Sequence, residues 1–338
     1  MLGSKGAFVT IDRPAAVFGT AAGALALALW PAVAGAYGMD LVVKIMIYAI
    51  AALSLELLVG RTGLVCFGQA ALFGLGAYAT VLLAPASAPA SLLWLAPAAV
   101  AVAAAYALFM GALSLRTRGI YFIMVTLAFA QMAYYLVHDT PLGGGTDGIY
   151  LDLRPRLSIG QTLLFDLDRP LVMYYFVLGS LAAVFALLAL VGRSPFGHAL
   201  AGIRINEQRM RAAGFATYPY KLAAFVLSGA IAGFAGVLFA VKDGYVNPEM
   251  LSWHFSGAIL LMVILGGIGH LRGAVLGAFA FVLLQEFFKD DAVFGAWAKH
   301  WLLGLGLSII VAVALLPRGL IGAGALLGRF ARRRAGGS

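Results

Sequence analysis

Cysteine occurs once in 338 residues, at Cys66, so no internal disulfide can form and redox surroundings leave no mark on the chain. Charge is scarce too: Asp, Glu, Lys and Arg make up 11% of residues, against roughly 25% in soluble chains. Catalytic patterns are missing. There is no HExxH, no CxxC and no grouped Ser/His/Asp set. His138, His198, His254, His270 and His300 are scattered over loops and the ends of apolar segments. No Walker-type phosphate loop is present, so the chain does not hydrolyse nucleotide by that route. We therefore expect no catalytic residues, no metal ligands and no cofactor, and any driving energy must come from elsewhere.

What is abundant is apolar surface. Hydrophobic residues make up 63% of the chain, more than a water-soluble core of this length could hide. Runs of about 20 apolar residues recur throughout, which predicts an all-α, polytopic membrane protein. A period of two, the mark of an outer-membrane barrel, does not appear. Ten spans are predicted, at 15–34, 41–59, 63–84, 92–113, 119–137, 171–192, 221–241, 256–268, 273–288 and 301–316. The first has a weakly basic start and no clear cleavage site, so it reads as a span and not a signal peptide. The short eighth segment leaves two readings for 256–288: two full spans, or a broken hairpin.

Charge distribution sets an orientation. With both termini inside, inner segments hold 16 basic residues and two acids, and outer segments hold six basic residues and eleven acids. The sorting gives +14 inside and −5 outside, which accounts for the net +9 without any need for nucleic-acid binding. The whole chain then forms one transmembrane domain. Residues 138–170 form an outer loop, 193–220 an inner loop, and 317–338 a basic inner tail. The outer loop carries a glycine-rich turn at Gly143–Gly148, read either as a plain connection or as a docking surface.

The inner loop, RSPFGHALAGIRINEQRMRAAGFATYPYK at Arg193–Lys221, is a polar island between apolar runs. Ser194 and Pro195 mark a helix start and Gly214 a helix stop. Five basic residues (Arg193, Arg204, Arg209, Arg211, Lys221) accompany one acid, Glu207.

Away from the ends of the spans only Lys44 and Glu56 are charged. Glu56 sits near Arg61. Its ordinary reading is a protonated or arginine-paired carboxylate at a helix end; the sharper one is ion coupling. The third segment, GLVCFGQAALFGLGAY at Gly63–Tyr78, concentrates glycines around a buried amide. It reads as close helix packing, or as a pathway lined by Phe67, Gly68, Gln69, Phe73 and Tyr78. Thr126 and Gln131 in the fifth segment are further pathway candidates, although bonding to their own or a neighbouring helix is the commoner fate.

Six stretches together carry a resemblance over most of 41–320. They are Gly63–Tyr78, Arg118–Gln131 (RGIYFIMVTLAFAQ), Gly144–Ile149 (GGTDGI), Ser194–Leu200 (SPFGHAL), Tyr220–Gly236 (YKLAAFVLSGAIAGFAG) and Gly266–Gly273 (GGIGHLRG). In order and spacing the chain is similar to the permease subunits of bacterial ABC importers of the branched-chain (hydrophobic) amino acid type. The resemblance implies alternating access in the inner membrane. It also implies two ATPase subunits, a second similar permease subunit in a heterodimer, and a periplasmic substrate-binding protein, with membrane lipid around them. It assigns Arg204, Glu207, Arg209, Ala213, Gly214 and Phe215 to the contact with an ATPase. The chain departs from the family pattern at Arg209 and Met210, where alanines are frequent, and at Glu56 and Gln69, where an Asn and a His are common. A urea or short-amide permease shares the architecture. From another class, a secondary carrier driven by Glu56 would work without ATPase partners.

Overall fold

The computed structural model describes residues 14–85, 90–151, 153–159, 162–316 and 319–322. Helices α1 (Pro14–Leu29), α2 (Ala36–Glu56), α3 (Gln69–Leu83), α4 (Leu92–Ser114), α5 (Ile120–His138) and α6 (Pro170–Arg193) come first. They are followed by α7 (Pro195–Ile205), α8 (Glu207–Ala212), α9 (Thr217–Asp243), α10 (Trp253–Gly266), α11 (Leu271–Lys289), α12 (Asp291–Phe294) and α13 (Trp301–Leu315). The chain is an all-α, polytopic membrane protein. Six helices are long and apolar enough to cross a bilayer, and four shorter apolar ones lie among the described residues. Each of the ten segments expected from the sequence overlaps one of these ten.

Two helices form the centre. The apolar window of α2 is 89% buried and that of α9 is 78% buried, against 28% for α4, α5 and α6. The outer helices thus keep one face toward the core and turn leucine, phenylalanine and tyrosine side chains outward, as a lipid-facing helix must. α2 continues past Glu56 into a π-helical turn, Leu57–Thr62, before Gly63 turns the chain with φ of 73°.

Small residues draw the central helices together. A Cβ on Gly76 of α3 would fall onto the Gly233 carbonyl of α9, and one on Gly236 of α9 would fall onto the Phe73 carbonyl of α3. This reciprocal approach is the close backbone packing that membrane helices use in place of a hydrophobic driving force.

One feature differs from the sequence reading, and a second falls within a reading left open. The third segment is not helical from residue 63: α3 begins at Gln69, and 63–68 is an irregular stretch that runs from exposed Gly63 to buried Cys66 and Gly68. Such backbone is tolerated at membrane depth only where protein covers it. The 256–288 pair is two separate helices joined by a turn in which Gly267 and Gly269 have φ of 112° and 93°.

At the end opposite α7 and α8, strand β1 (Ile149–Tyr150) pairs with β4 (Tyr245–Val246), tying the long 138–170 loop to the α9–α10 connection. Between them in sequence, β2 (Leu157–Ile159) and β3 (Thr162–Phe165) form a small hairpin. Most of the basic 317–338 tail lies outside the described residues.

Candidate functional site

The polar island folds as two short helices. Ser194 caps α7, its hydroxyl accepting from the Gly197 amide at 3.2 Å, with Pro195 in the first turn. Asn206 ends α7 and starts α8, where its side-chain oxygen accepts from the Arg209 amide at 2.9 Å. Gly214, with φ of 86°, closes α8. The Phe215 amide then donates to the Met210 carbonyl at 3.0 Å, the six-to-one bond of a glycine-terminated helix.

Glu207 braces this unit. One carboxylate oxygen, Oε1, accepts from Arg211 Nη2 at 2.6 Å, Thr217 Oγ1 at 2.9 Å and Lys221 Nζ at 2.9 Å. Arg211 Nε also donates to Thr217 Oγ1 at 3.0 Å, which closes the ring. Burial pushes the Glu207 carboxyl up, but the donors on Lys221, Thr217 and Arg211 outweigh it and hold the group at about 2, below its ordinary 4.5. Arg211, one of the five basic residues of the loop, is spent on Glu207. Neither Thr217 nor Lys221 was singled out as a partner of Glu207, because they lie ten and fourteen residues away, across a turn.

Around the brace, Arg209, Ala213, Gly214 and Phe215 are exposed. Ile205 is 77% exposed and Phe215 41%, so two apolar side chains flank a tight turn at the tip of a polar loop. Ile205 carried no signal in the sequence beyond its place beside the Asn206 cap. Arg204 differs from the others, since its guanidinium turns back and Nη1 donates to the Gly60 carbonyl of the π-turn.

The second group of candidates is closed within the core. Gln69, fully buried at the start of α3, donates through Nε2 to Ser54 Oγ of α2 at 2.6 Å and to Ser228 Oγ of α9 at 3.1 Å. The Ala70 amide donates to Ser256 Oγ of α10 at 3.0 Å. Four helices therefore meet at the irregular start of α3. Phe73 stacks edge-on with Phe239 and Phe255 at 5.7 and 5.0 Å. Gly68 is buried, and a Cβ there would meet the Met110 side chain. Half-buried Phe67 donates its amide to Thr126 Oγ1 at 3.3 Å, and that hydroxyl donates to the Ile123 carbonyl at 2.9 Å. Tyr78 is buried far up α3, its hydroxyl 3.5 Å from the Gly143 carbonyl. Gln131 is half-buried on α5, away from the Gln69 cluster. The arrangement brings Gln69 and Phe73 together with α2, α9 and α10, and leaves Tyr78 and Gln131 elsewhere. Among the described residues no group of His, Cys, Asp and Glu could hold a metal ion.

The described residues define a polytopic helical membrane protein with a capped polar loop and a glycine-packed core. Residues 38–315 match the family described as "Branched-chain amino acid transport system / permease component", and the chain belongs to that family. It is 31% identical over 86% of its length to the high-affinity branched-chain amino acid transport system permease protein LivM of Escherichia coli, of which 72% is covered. It is 30% identical, with the same coverage of each chain, to LivM of Salmonella typhimurium. It is also similar to the autoinducer 2 import system permease protein LsrC of Yersinia pseudotuberculosis, 30% identical over 40% of this chain and 42% of that one. No solved structure matches.

Proposed function

We propose that the chain is the permease subunit of an ATP-driven ABC importer for branched-chain amino acids, working by alternating access in the bacterial inner membrane. Ten spans carry the chain across, with both termini cytoplasmic. The 193–220 loop then faces the cytoplasm, beside the basic 317–338 tail, and the 138–170 loop faces the periplasm. Two ATPase subunits act below, a second permease subunit completes the pore, and a periplasmic binding protein delivers substrate above.

The observation that carries this reading is the loop tip. A six-residue helix, α8, is capped at both ends and braced internally through Glu207, and it exposes Ile205, Arg209, Ala213, Gly214 and Phe215. A segment held this rigid while presenting apolar side chains is preorganised to enter a groove on another protein. Glu207 orders the loop from within, and the exposed residues make the contact. The carrier alternative draws no support from Glu56, whose carboxylate accepts from a backbone amide inside the fold.

Gly214→Arg tests the assignment. No atom lies within 4 Å of a Cβ built on Gly214, so a side chain has room in the isolated chain. The left-handed backbone costs a non-glycine residue about 1–2 kcal/mol, which a membrane bundle of this size tolerates. The variant should insert normally but lose ATPase association and ATP-driven uptake in proteoliposomes. Normal association and uptake would sink the docking role of the loop.

A further inference from the structure

The π-turn Leu57–Thr62 lies between two parts of the molecule that are distant in sequence. On one side it touches the polar loop. Arg204 at the end of α7 donates to the Gly60 carbonyl, and Arg61 Nη2 donates to the Gly192 carbonyl, at the α6–α7 joint, at 3.0 Å. On the other side Glu56, the last residue of α2 before the turn, is fully buried, and its Oε1 accepts from the Gly269 amide at 2.6 Å. Gly269 belongs to the α10–α11 turn, where backbone amides would otherwise lack an acceptor. Glu56 thus does for this turn what a capping residue does for a helix, from 213 positions away.

The hairpin that Glu56 holds is tightly packed. Glycines at 266, 273 and 277 bring the backbones of α10 and α11 so close that a Cβ at any of them would strike backbone of the facing segment. A displacement of the 267–270 turn is therefore passed along both helices. α10 in turn reaches the core, through the bond of Ser256 to the start of α3. π-turns of this kind are rare and recur at functional sites.

We propose that the Glu56–Thr62 segment is the transmission between the docking loop and the α10–α11 hairpin, with Arg204 as its input and Glu56 as its output. Glu56 is a positioning residue that acts through the Gly269 amide and neither touches substrate nor carries an ion. The proposal rests on the reading that the 193–220 loop docks an ATPase. Its prediction is that losing the carboxylate acceptor uncouples the loop from the core while leaving the loop itself in place.

Three variants separate reach, acceptor and charge. Glu56→Gln keeps the length and an acceptor oxygen without the charge. Glu56→Asp keeps the charge but is too short to reach Gly269. Glu56→Leu keeps the bulk and loses the acceptor. Each is assembled with both ATPases and the second permease in proteoliposomes, and substrate moved per ATP hydrolysed is measured. A spin label at Ile268, which is 41% exposed on the turn, reports its response to ATP binding. Co-purification of the ATPases with the parent chain, measured first, tests the docking reading separately.

We expect Gln to retain coupling, and Asp and Leu to lose about tenfold in substrate moved per ATP, the order of magnitude that leaving one buried backbone donor unsatisfied costs. In both, the Ile268 label should cease to respond to ATP while ATPase association persists. Retained coupling or label response in Asp and Leu would overturn the proposal. So would a loss of ATPase association in both, because Glu56 would then be needed for the fold and not for transmission.

Discussion

Removing the Glu207 carboxylate should cost far more than its place on an exposed loop suggests, and the reason is Lys221. The side chain of Glu207 is 24% exposed and that of Arg211 is 50% exposed, but that of Lys221 is only 9% exposed. An ion pair in water contributes about 0–1 kcal/mol, whereas stranding one partner of a buried pair costs about 3–5 kcal/mol. The Arg211 contact belongs to the first case and the Lys221 contact lies nearer the second. Glu207→Ala leaves the Lys221 ammonium covered and without its carboxylate, so we expect a loss of about 2–3 kcal/mol in the ordering of α8. Lys221→Met should cost less, about 1 kcal/mol, since Glu207 keeps Arg211, Thr217 and water. The double variant should cost less than Glu207→Ala alone, because the stranded charge has gone. Hydrogen exchange at the α8 amides, in detergent or nanodiscs, reads this directly. The Glu207→Ala opening should speed exchange by about 30- to 150-fold, and Lys221→Met in the double variant should recover a large part of that. If Glu207→Ala accelerates exchange less than about threefold, or if the two substitutions simply add, then Lys221 does not depend on the carboxylate and the brace is wrongly described.

The same carboxyl gives a pH prediction. Its folded-state value, about 2, lies below its ordinary 4.5, so its bracing is fully present above about pH 4.5 and is lost as pH falls from there toward 2. Exchange at α8, corrected for its intrinsic pH dependence, should accelerate over that window in the parent chain and stay flat in Glu207→Ala. In the core, Gly76→Val should disrupt the α3–α9 crossing, because its Cβ meets the Gly233 carbonyl and backbone cannot yield as a side chain can. Overpacking costs about 1–3 kcal/mol even where side chains adjust, so the thermal midpoint in detergent should fall clearly. Gly179→Val, at a position with no atom within 4 Å, should leave it nearly unchanged.

The helices were legible because apolar runs of membrane length leave a chain few other choices, and Ser194-Pro195 and Gly214 marked where helix starts and stops in the polar loop, while the Asn206 cap that divides it emerged from the structure. The break at 63–68 was not legible. Its residues are as apolar as those of a helix, and what stops α3 from starting earlier is covering protein: Thr126 accepts the Phe67 amide and Met110 presses on Gly68, from α5 and α4. Local sequence holds no record of either contact.

The buried polar groups make the same point more sharply. Gln69 could be read as pathway lining or as packing, and its donors settle on Ser54 and Ser228, on helices that precede and follow it by 15 and 159 residues. Glu56 was visible as the one acidic residue away from the ends of the spans, and the cost of burying a carboxylate said that it must have a partner. Arg61, five positions on, was the natural choice. Arg61 does lie within electrostatic reach of Glu56, but the hydrogen bond at 2.6 Å comes from the Gly269 amide, and Arg61 Nη2 donates to the Gly192 carbonyl. A backbone amide can satisfy a carboxylate as well as an arginine can, but every residue has one, so nothing in the composition marks which amide it will be. Gly266–Gly273 stood out as one of the six stretches that carry the resemblance; its place as the seat of a buried carboxylate follows only from the three-dimensional arrangement. In a chain this poor in charge, the partner of each buried charge is a decision of the fold. That places the informative contacts of this protein at the joints between helices, where sequence reading is weakest.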